Sequence, residues 1–134
     1  MLMIKWNEKF ATGVYILDEQ HKELFRYSND LEGILKEGDV SSEMIQAGLK
    51  FLEKYVLNHF GQEENCMHQY HCPIAGKNKV AHQKFIKAYR LFEKRISQGE
   101  DAYRTLRHLH TFLEKWLVEH ICKIDTHLKP CVYI

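Results

Sequence analysis

Along the chain, apolar side chains return every three to four positions in four separate stretches, the spacing of one helical face. The first stretch predicts a helix over 19–37, with Leu24, Leu31, Ile34 and Leu35 on its stripe and His21 on the side of Leu24. Asp18 is placed to cap it and Gly38 to stop it. The second predicts a helix over 42–71, capped by Ser41 or Ser42 and followed by Pro73. Its inner face reads Ile45, Leu49, Leu52, Val56, His59, Phe60, Glu63 and Met67. At about 30 residues and about 1.5 Å per residue it spans roughly 45 Å. The third, over 76–97, carries Val80, Phe85, Ala88, Tyr89, Phe92 and Ile96 and stops before Gly99. The fourth, over 101–128, is capped by Asp101 and ended by Pro130, with Leu106, Leu109, Leu113, Trp116, Leu117 and Ile121 on its stripe.

Residues 1–17 lack a helical stripe. They hold Trp6, Phe10 and Tyr15, with a bend expected at Gly13, and read as a largely extended arm packed on the body through its aromatics. No segment shows the period of two that marks a strand. The connections are short, so successive helices become antiparallel neighbours. The expected fold is all-α: a single domain over 1–134, an up-down-up-down four-helix bundle with an extended N-terminal arm.

Composition narrows the class. A chain of 134 residues leaves little room for a second domain. A net charge of +1, with lysines and glutamates interleaved, gives no field for nucleic acid or an anionic membrane. Charges interrupt every apolar run, so no transmembrane helix is expected, and the first five residues are too short for a signal peptide. A cytoplasmic protein is expected. Cys66, Cys72, Cys122 and Cys131 form no C-x-x-C pair, and in a reducing compartment they are free thiols. There is no nucleophile triad, no phosphate-cradling glycine loop and no basic recognition helix.

The inner faces carry polar residues where apolar ones belong. His59 and Glu63 stand four apart among Val56, Phe60 and Met67, so they share a face. His120 lies between Leu117 and Ile121, His82 near Val80 and Phe85, and His21 near Leu24, while Asp125 reaches inward from near the end of the fourth helix. One histidine on an apolar face is ordinarily a satisfied core residue. Four histidines and two carboxylates on four facing helices, with no lysine or arginine among them, are different. Burying such carboxylates uncompensated costs several kcal/mol each, and a central polyvalent cation satisfies the whole set. Imidazole and carboxylate without thiolate suit iron, manganese or zinc. Six ligands exceed what one tetrahedral zinc uses, so two ions fit better. The Glu-x-x-His pairs of the ferritin-like di-iron class are absent from the sequence.

Trp6, Gly13-Val14, the run from Asp18 to Lys22, His59-Phe60 with Glu63-Glu64, Met67, Pro73, His82 with Phe85, and Trp116-Leu117 with His120-Ile121 and Asp125 together resemble the bacterial hemerythrins. The likeness runs over nearly the whole chain; each piece alone is weak, and their order and spacing are specific. It implies two non-haem iron ions joined by an oxo or hydroxo bridge. His21 and His59 then match the positions holding the iron with a free site. His82 and His120 match ligands of the second iron, and Glu63 and Asp125 match the bridging carboxylates. It further implies that dioxygen or another small diatomic ligand binds at the free site, shielded by a pocket of Phe60, Met67, Trp116, Leu117 and Ile121.

One position departs from that pattern. The family's third helix opens with His-x-x-x-His, and here the first histidine is replaced by Asn78. Asn78 can ligate through its amide oxygen, hold a ligating water, or leave the second iron weakly held. Substitution by His68 or His71 would need a shifted backbone. His108, His110 and His127 read as surface residues, Glu64 as a solvated or supporting carboxylate, and Cys122 as turned away from the metal. A dioxygen carrier, store or sensor is the expected function. The alternatives are a di-iron enzyme with peroxidase, oxidase or nitric oxide chemistry, and a metal-holding bundle without gas chemistry.

Overall fold

The computed structural model describes residues 4–38 and 41–132. Four long helices build it: α1 Tyr15–Glu37, α2 Ser42–Gln69, α3 Ala75–Ser97 and α4 Ala102–Lys123, followed by a short α5, Leu128–Val132. No strand occurs among the described residues. α1 packs against α2 and α4, and α3 against the same two, which closes the expected four-helix bundle. No described helix is long and apolar enough to cross a membrane.

Several boundaries follow the predicted signals. Gly38 ends α1 in the left-handed region (φ 73°), with its N–H on the Ile34 carbonyl. Ser41 is the cap of α2, its Oγ accepting from Met44 N, and Asp101 caps α4 by accepting from Arg104 N. α2 ends at Gln69, two residues earlier than expected, in a Schellman arrangement. His71 sits at φ 53°, its N–H bonds the His68 carbonyl, and Cys72 N–H bonds the Met67 carbonyl.

Other boundaries differ. α1 starts at Tyr15, so Asp18 is not its cap; Val14 holds that position without a side-chain bond. The Asp18 carboxylate instead accepts from Thr12 N (2.8 Å) and Thr12 Oγ1 (2.9 Å). It fastens the arm to the first turn, one turn later than a cap would. The arm is interrupted by a 3₁₀ turn, Glu8–Phe10, and bends at Gly13 (φ 83°). Its residues 1–3 lie outside those described. Phe10 is buried edge-on against Phe25, and Asn29 holds both backbone groups of Ile4.

The fourth helix is not continuous to 128. It stops at Lys123; Ile124 leaves helical geometry (φ −122°, ψ −60°), and Asp125–His127 form a 3₁₀ turn before α5. Pro130 does not end a helix but lies within the first turn of α5, where its missing N–H goes unused. Val80, expected on the inner stripe of α3, is half exposed.

The core divides in two. The larger part, containing Leu24, Leu52, Phe60, Phe85, Leu113, Leu117 and Ile121, fills the bundle. A smaller part, Leu17, Met67, Cys72 and Leu128, closes one end beneath α5. The polar residues lie between them along the chain: Glu63 precedes Met67 by one turn, and Asp125 precedes Leu128 by three residues.

Candidate metal centre

Each long helix sends at least one polar side chain to a common point. α1 supplies His21, α2 His59 and Glu63, α3 His82 and α4 His120, all buried. Asp125 joins them from the 3₁₀ turn. On an unbroken helix it would lie about 140° around the axis from His120. The break at Ile124 re-aims the chain, which lets Asp125 Oδ1 stand 3.0 Å from His120 Nε2 and Oδ2 3.1 Å from His21 Nε2. The sequence pattern did not show that break.

Glu63 stands between the two halves of the cluster. Its Oε2 is 3.2 Å from His21 Nε2 and 3.4 Å from His59 Nε2, and its Oε1 is 3.1 Å from His82 Nε2. The donor atoms form two groups, each within 4.8 Å: His21, His59, Glu63 and Asp125, and Glu63, His82, His120 and Asp125. The carboxylates belong to both.

The outer ring nitrogens explain why the inner ones face the centre. His59 Nδ1 is 2.6 Å from Gln20 Oε1, and the Gln20 amide nitrogen is already donating to Gln62. His82 Nδ1 is 3.0 Å from Glu64 Oε2. Both outer partners are acceptors, so each ring donates outward and turns its Nε2 lone pair inward, the arrangement that orients metal-binding imidazoles. Gln20 was missed from sequence because it sits beside His21 as an ordinary polar residue. Glu64 was read as a solvated or supporting carboxylate, and the second description fits its contact.

The donor chemistry fits a cation. Glu63 Oε1 and both Asp125 oxygens are buried with no properly angled hydrogen bond, despite imidazole nitrogens at 3.0–3.1 Å. His82 and His120 bring Nε2 to Nε2 at 3.1 Å. Lone pairs aimed at a shared point, rather than at one another, are what a bound ion resolves. Two of the imidazoles, those of His21 and His120, also hold protons tightly. Burial opposes charge on His21, but Asp125 and Glu63 outweigh it and raise its pKa from 6.5 to about 10. The same balance takes His120 to about 9. Burial pulls His59 down. For Glu63, burial acts upward, but the surrounding imidazoles, His120 foremost, hold the carboxyl well below the usual range.

Asn78 is fully buried and points into the second group. Its Oδ1 lies 3.0 Å from His120 Nε2, and its Nδ2 has no partner. His68 and His71 are exposed and lie outside the donor groups. Aromatic rings wall the α3–α4 side: Phe60 stacks on His82 (3.7 Å between centroids) and Trp116 on His120 (4.2 Å). Leu117 and Ile121 are buried in the larger core, while Met67 belongs to the smaller one. Cys122 is exposed. His108 and His127 are at the surface as expected, but His110 is not. It is fully buried, between Glu32 (3.3 Å) and Glu114 (3.6 Å). Its neighbours Leu109 and Leu113 place it beside the inner stripe, and that was the available signal.

The description Hemerythrin HHE cation binding domain matches residues 12–132. The bacteriohemerythrin of Methylococcus capsulatus is 30% identical over 133 residues, 98% of this chain and 98% of its own. That of Pseudomonas aeruginosa is 30% identical over 127 residues, 93% of this chain and 78% of its own. A crystal structure of wild-type hemerythrin aligns with a TM-score of 0.82 and 30% identity, covering 99% of this chain and all of that one.

Proposed function

The chain belongs to the hemerythrin family, and from that premise we propose that it is a non-haem di-iron protein that binds dioxygen as a carrier, store or sensor. The observation that carries this reading is the pair of overlapping donor groups sharing Glu63 and Asp125. In this reading His21 and His59 would hold one iron and His82 and His120 the other, with Glu63 and Asp125 available to both. The irons, when bound and reduced, supply the electrons that make dioxygen binding favourable.

The chain's own residues do the rest. Gln20 and Glu64 fix two imidazoles by accepting from their Nδ1–H groups. Phe60, Trp116, Leu117 and Ile121 keep water from the α3–α4 side, which slows loss of the bound ligand in a more reactive form. Asn78 replaces an imidazole with a neutral amide, a weaker donor for iron. This supports a second reading, in which an exchangeable position on the second iron favours peroxidase, oxidase or nitric oxide chemistry.

Metal analysis combined with anaerobic and aerobic visible spectra tests both readings. The first expects iron at two per chain and a visible band that appears with air and vanishes on deoxygenation. Irreversible oxidation with peroxide turnover decides for the second, and tightly bound zinc with no redox response defeats both. In the Asn78→His variant, the second iron is expected to be retained more firmly and the oxygenated form to last longer. No change in either overturns the role given to Asn78.

A further inference from the structure

The end of the bundle beneath α5 gathers three of the four cysteines. Cys72 is buried in the smaller core, at the position just after the left-handed His71. Cys131, on α5, and Cys66, on α2, pack against the same cluster and are half-buried. Cys131 packs against the cluster that contains Cys72, and its thiol donates to the His127 carbonyl at 3.6 Å. Cys131 borders an open groove with His71, Pro73, Lys77, His127 and Pro130. The function proposed above uses none of these thiols.

We propose that Cys72 and Cys131 are a peroxide-responsive thiol pair whose disulfide clasps α5 to the α2–α3 turn. The half-exposed Cys131 meets the oxidant first. Its thiolate attacks hydrogen peroxide, the O–O bond breaks, and Cys131 becomes a sulfenic acid as hydroxide leaves and takes up the thiol proton. Cys72 sulfur then attacks the Cys131 sulfur. An S–S bond forms, the S–O bond breaks, and the Cys72 proton leaves with the hydroxyl as water. In sum, two thiols and one peroxide give one disulfide and two waters.

The assignment of order follows from surroundings. Burial, helped by the neighbouring Cys131, pushes the Cys72 thiol up to about 12, so it is a poor first nucleophile. Burial, then the charge of Glu63, raises Cys66. Cys122 is exposed on α4, away from the cluster. The clasp has a target: α5 follows directly on the 3₁₀ turn that holds Asp125 in place. Fixing α5 therefore restrains the segment that brings Asp125 to the donor groups. This consequence, unlike the disulfide, rests on the metal-site reading.

The test treats the reduced full chain with hydrogen peroxide, as purified and with zinc in place of iron, because zinc does not turn over peroxide. Alkylation and peptide mapping are expected to find Cys72 linked to Cys131, with the loss of two hydrogens, in both forms. The link is expected to persist in the Cys66→Ser and Cys122→Ser variants and to vanish in Cys131→Ser and Cys72→Ser. Cys72→Ala serves as a second variant if Cys72→Ser does not fold. A Cys66–Cys72 link, over-oxidation of Cys131 with Cys72 still alkylatable, or only inter-chain Cys122 links overturns the pair. In the linked zinc form, release of zinc to a chelator is expected to slow several-fold. An unchanged rate with the link in place overturns the clasp on Asp125 while leaving the iron assignment to the spectra.

Discussion

Among the described residues imidazole is buried beside carboxylate in two places, and only one of them has the form of a metal site. Near one end, six side chains converge and offer donor atoms within 4.8 Å in two groups. About ten residues back along α4, roughly 15 Å, His110 lies with Glu32 from α1, both nearly inaccessible. Orphaned atoms do not tell the two apart: Glu32 Oε2, both His110 nitrogens and Ser28 Oγ also lack a properly angled bond. Direction does. The two ring nitrogens of His110 address separate carboxylates, Glu32 through Nδ1 and Glu114 through Nε2. Arg107 reaches Glu32 at 3.7 Å and supplies the positive charge from the protein itself. In the first cluster no lysine or arginine among the described residues takes that place, and the imidazoles turn the same nitrogen, Nε2, inward. Convergence without a protein cation, rather than burial, marks the candidate metal centre.

The largest effect expected from this comparison comes from removing the shared carboxylate. Glu63→Ala takes a donor from both groups, so bound metal measured after dialysis is expected to fall from two ions per chain toward none. Glu32→Ala removes an equally buried carboxylate and is expected to leave metal content unchanged. It strands His110 and Arg107 and opens a small void, costing about 2–4 kcal/mol in denaturant unfolding of the metal-loaded protein. Metal loss in Glu32→Ala, or full retention in Glu63→Ala, would erase the distinction.

The two halves of this comparison were not equally legible in the sequence. The helical stripes revealed four helices, and four-residue spacing placed His59 and Glu63 on one face, because a straight helix preserves angular position. Asp125 is legible as an inward-reaching carboxylate near the end of the fourth helix, but on the wrong element: the chain breaks at Ile124, and periodicity does not encode that break. His110 was misread for a related reason. It sits at the edge of the Leu106–Leu109–Leu113 stripe, and the packing of α1, which brings Glu32 to it, makes that edge interior. Asp18 looked like a helix cap because its residue type is right, but its bonds run to Thr12, and the first turn of α1 begins without a side-chain cap. Gln20 carried no signal, since an acceptor behind a histidine is defined across helices, whereas Glu64 was legible as a supporting carboxylate only through its place beside Glu63.

pH should act differently on the metal-free and metal-loaded proteins. His21 and His120 have pKa values raised from 6.5 to about 10 and about 9. The stability they contribute without metal is fully present below 6.5 and is lost as pH rises through 9 to 10. Glu63, held low, contributes above 4.5 and loses that contribution as pH falls below it. His59, lowered, favours the folded state above 6.5 and opposes it below. The metal-free protein should therefore weaken on the alkaline side. Metal needs the same imidazoles deprotonated, so the stabilisation it adds should grow over that interval. Denaturant midpoints at pH values either side of the interval, with and without metal, check the sign; parallel slopes would refute the shared use of these groups.

The smallest contrast is also the most specific. Glu64 and Glu114 are both partly exposed carboxylates facing a buried histidine, with side-chain exposures of 31% and 23%. Glu64 accepts from His82 Nδ1 at 3.0 Å, while Glu114 lies 3.6 Å from His110 Nε2, beyond good hydrogen-bond geometry. Losing Glu64 frees the ring that must present Nε2 to the second donor group. Glu64→Ala is therefore expected to weaken metal binding about 10- to 100-fold, in the range of other outer partners of ligand histidines. Losing Glu114 removes a solvent-screened charge from a ring that presents nothing to a third party. Glu114→Ala is expected to shift stability by less than about 0.5 kcal/mol and metal affinity not at all. Chelator competition and denaturant unfolding on the two variants measure both numbers. Equal effects would mean that His82 needs no more orienting than His110, and the claim that outward donation directs the inner lone pair would fail with it.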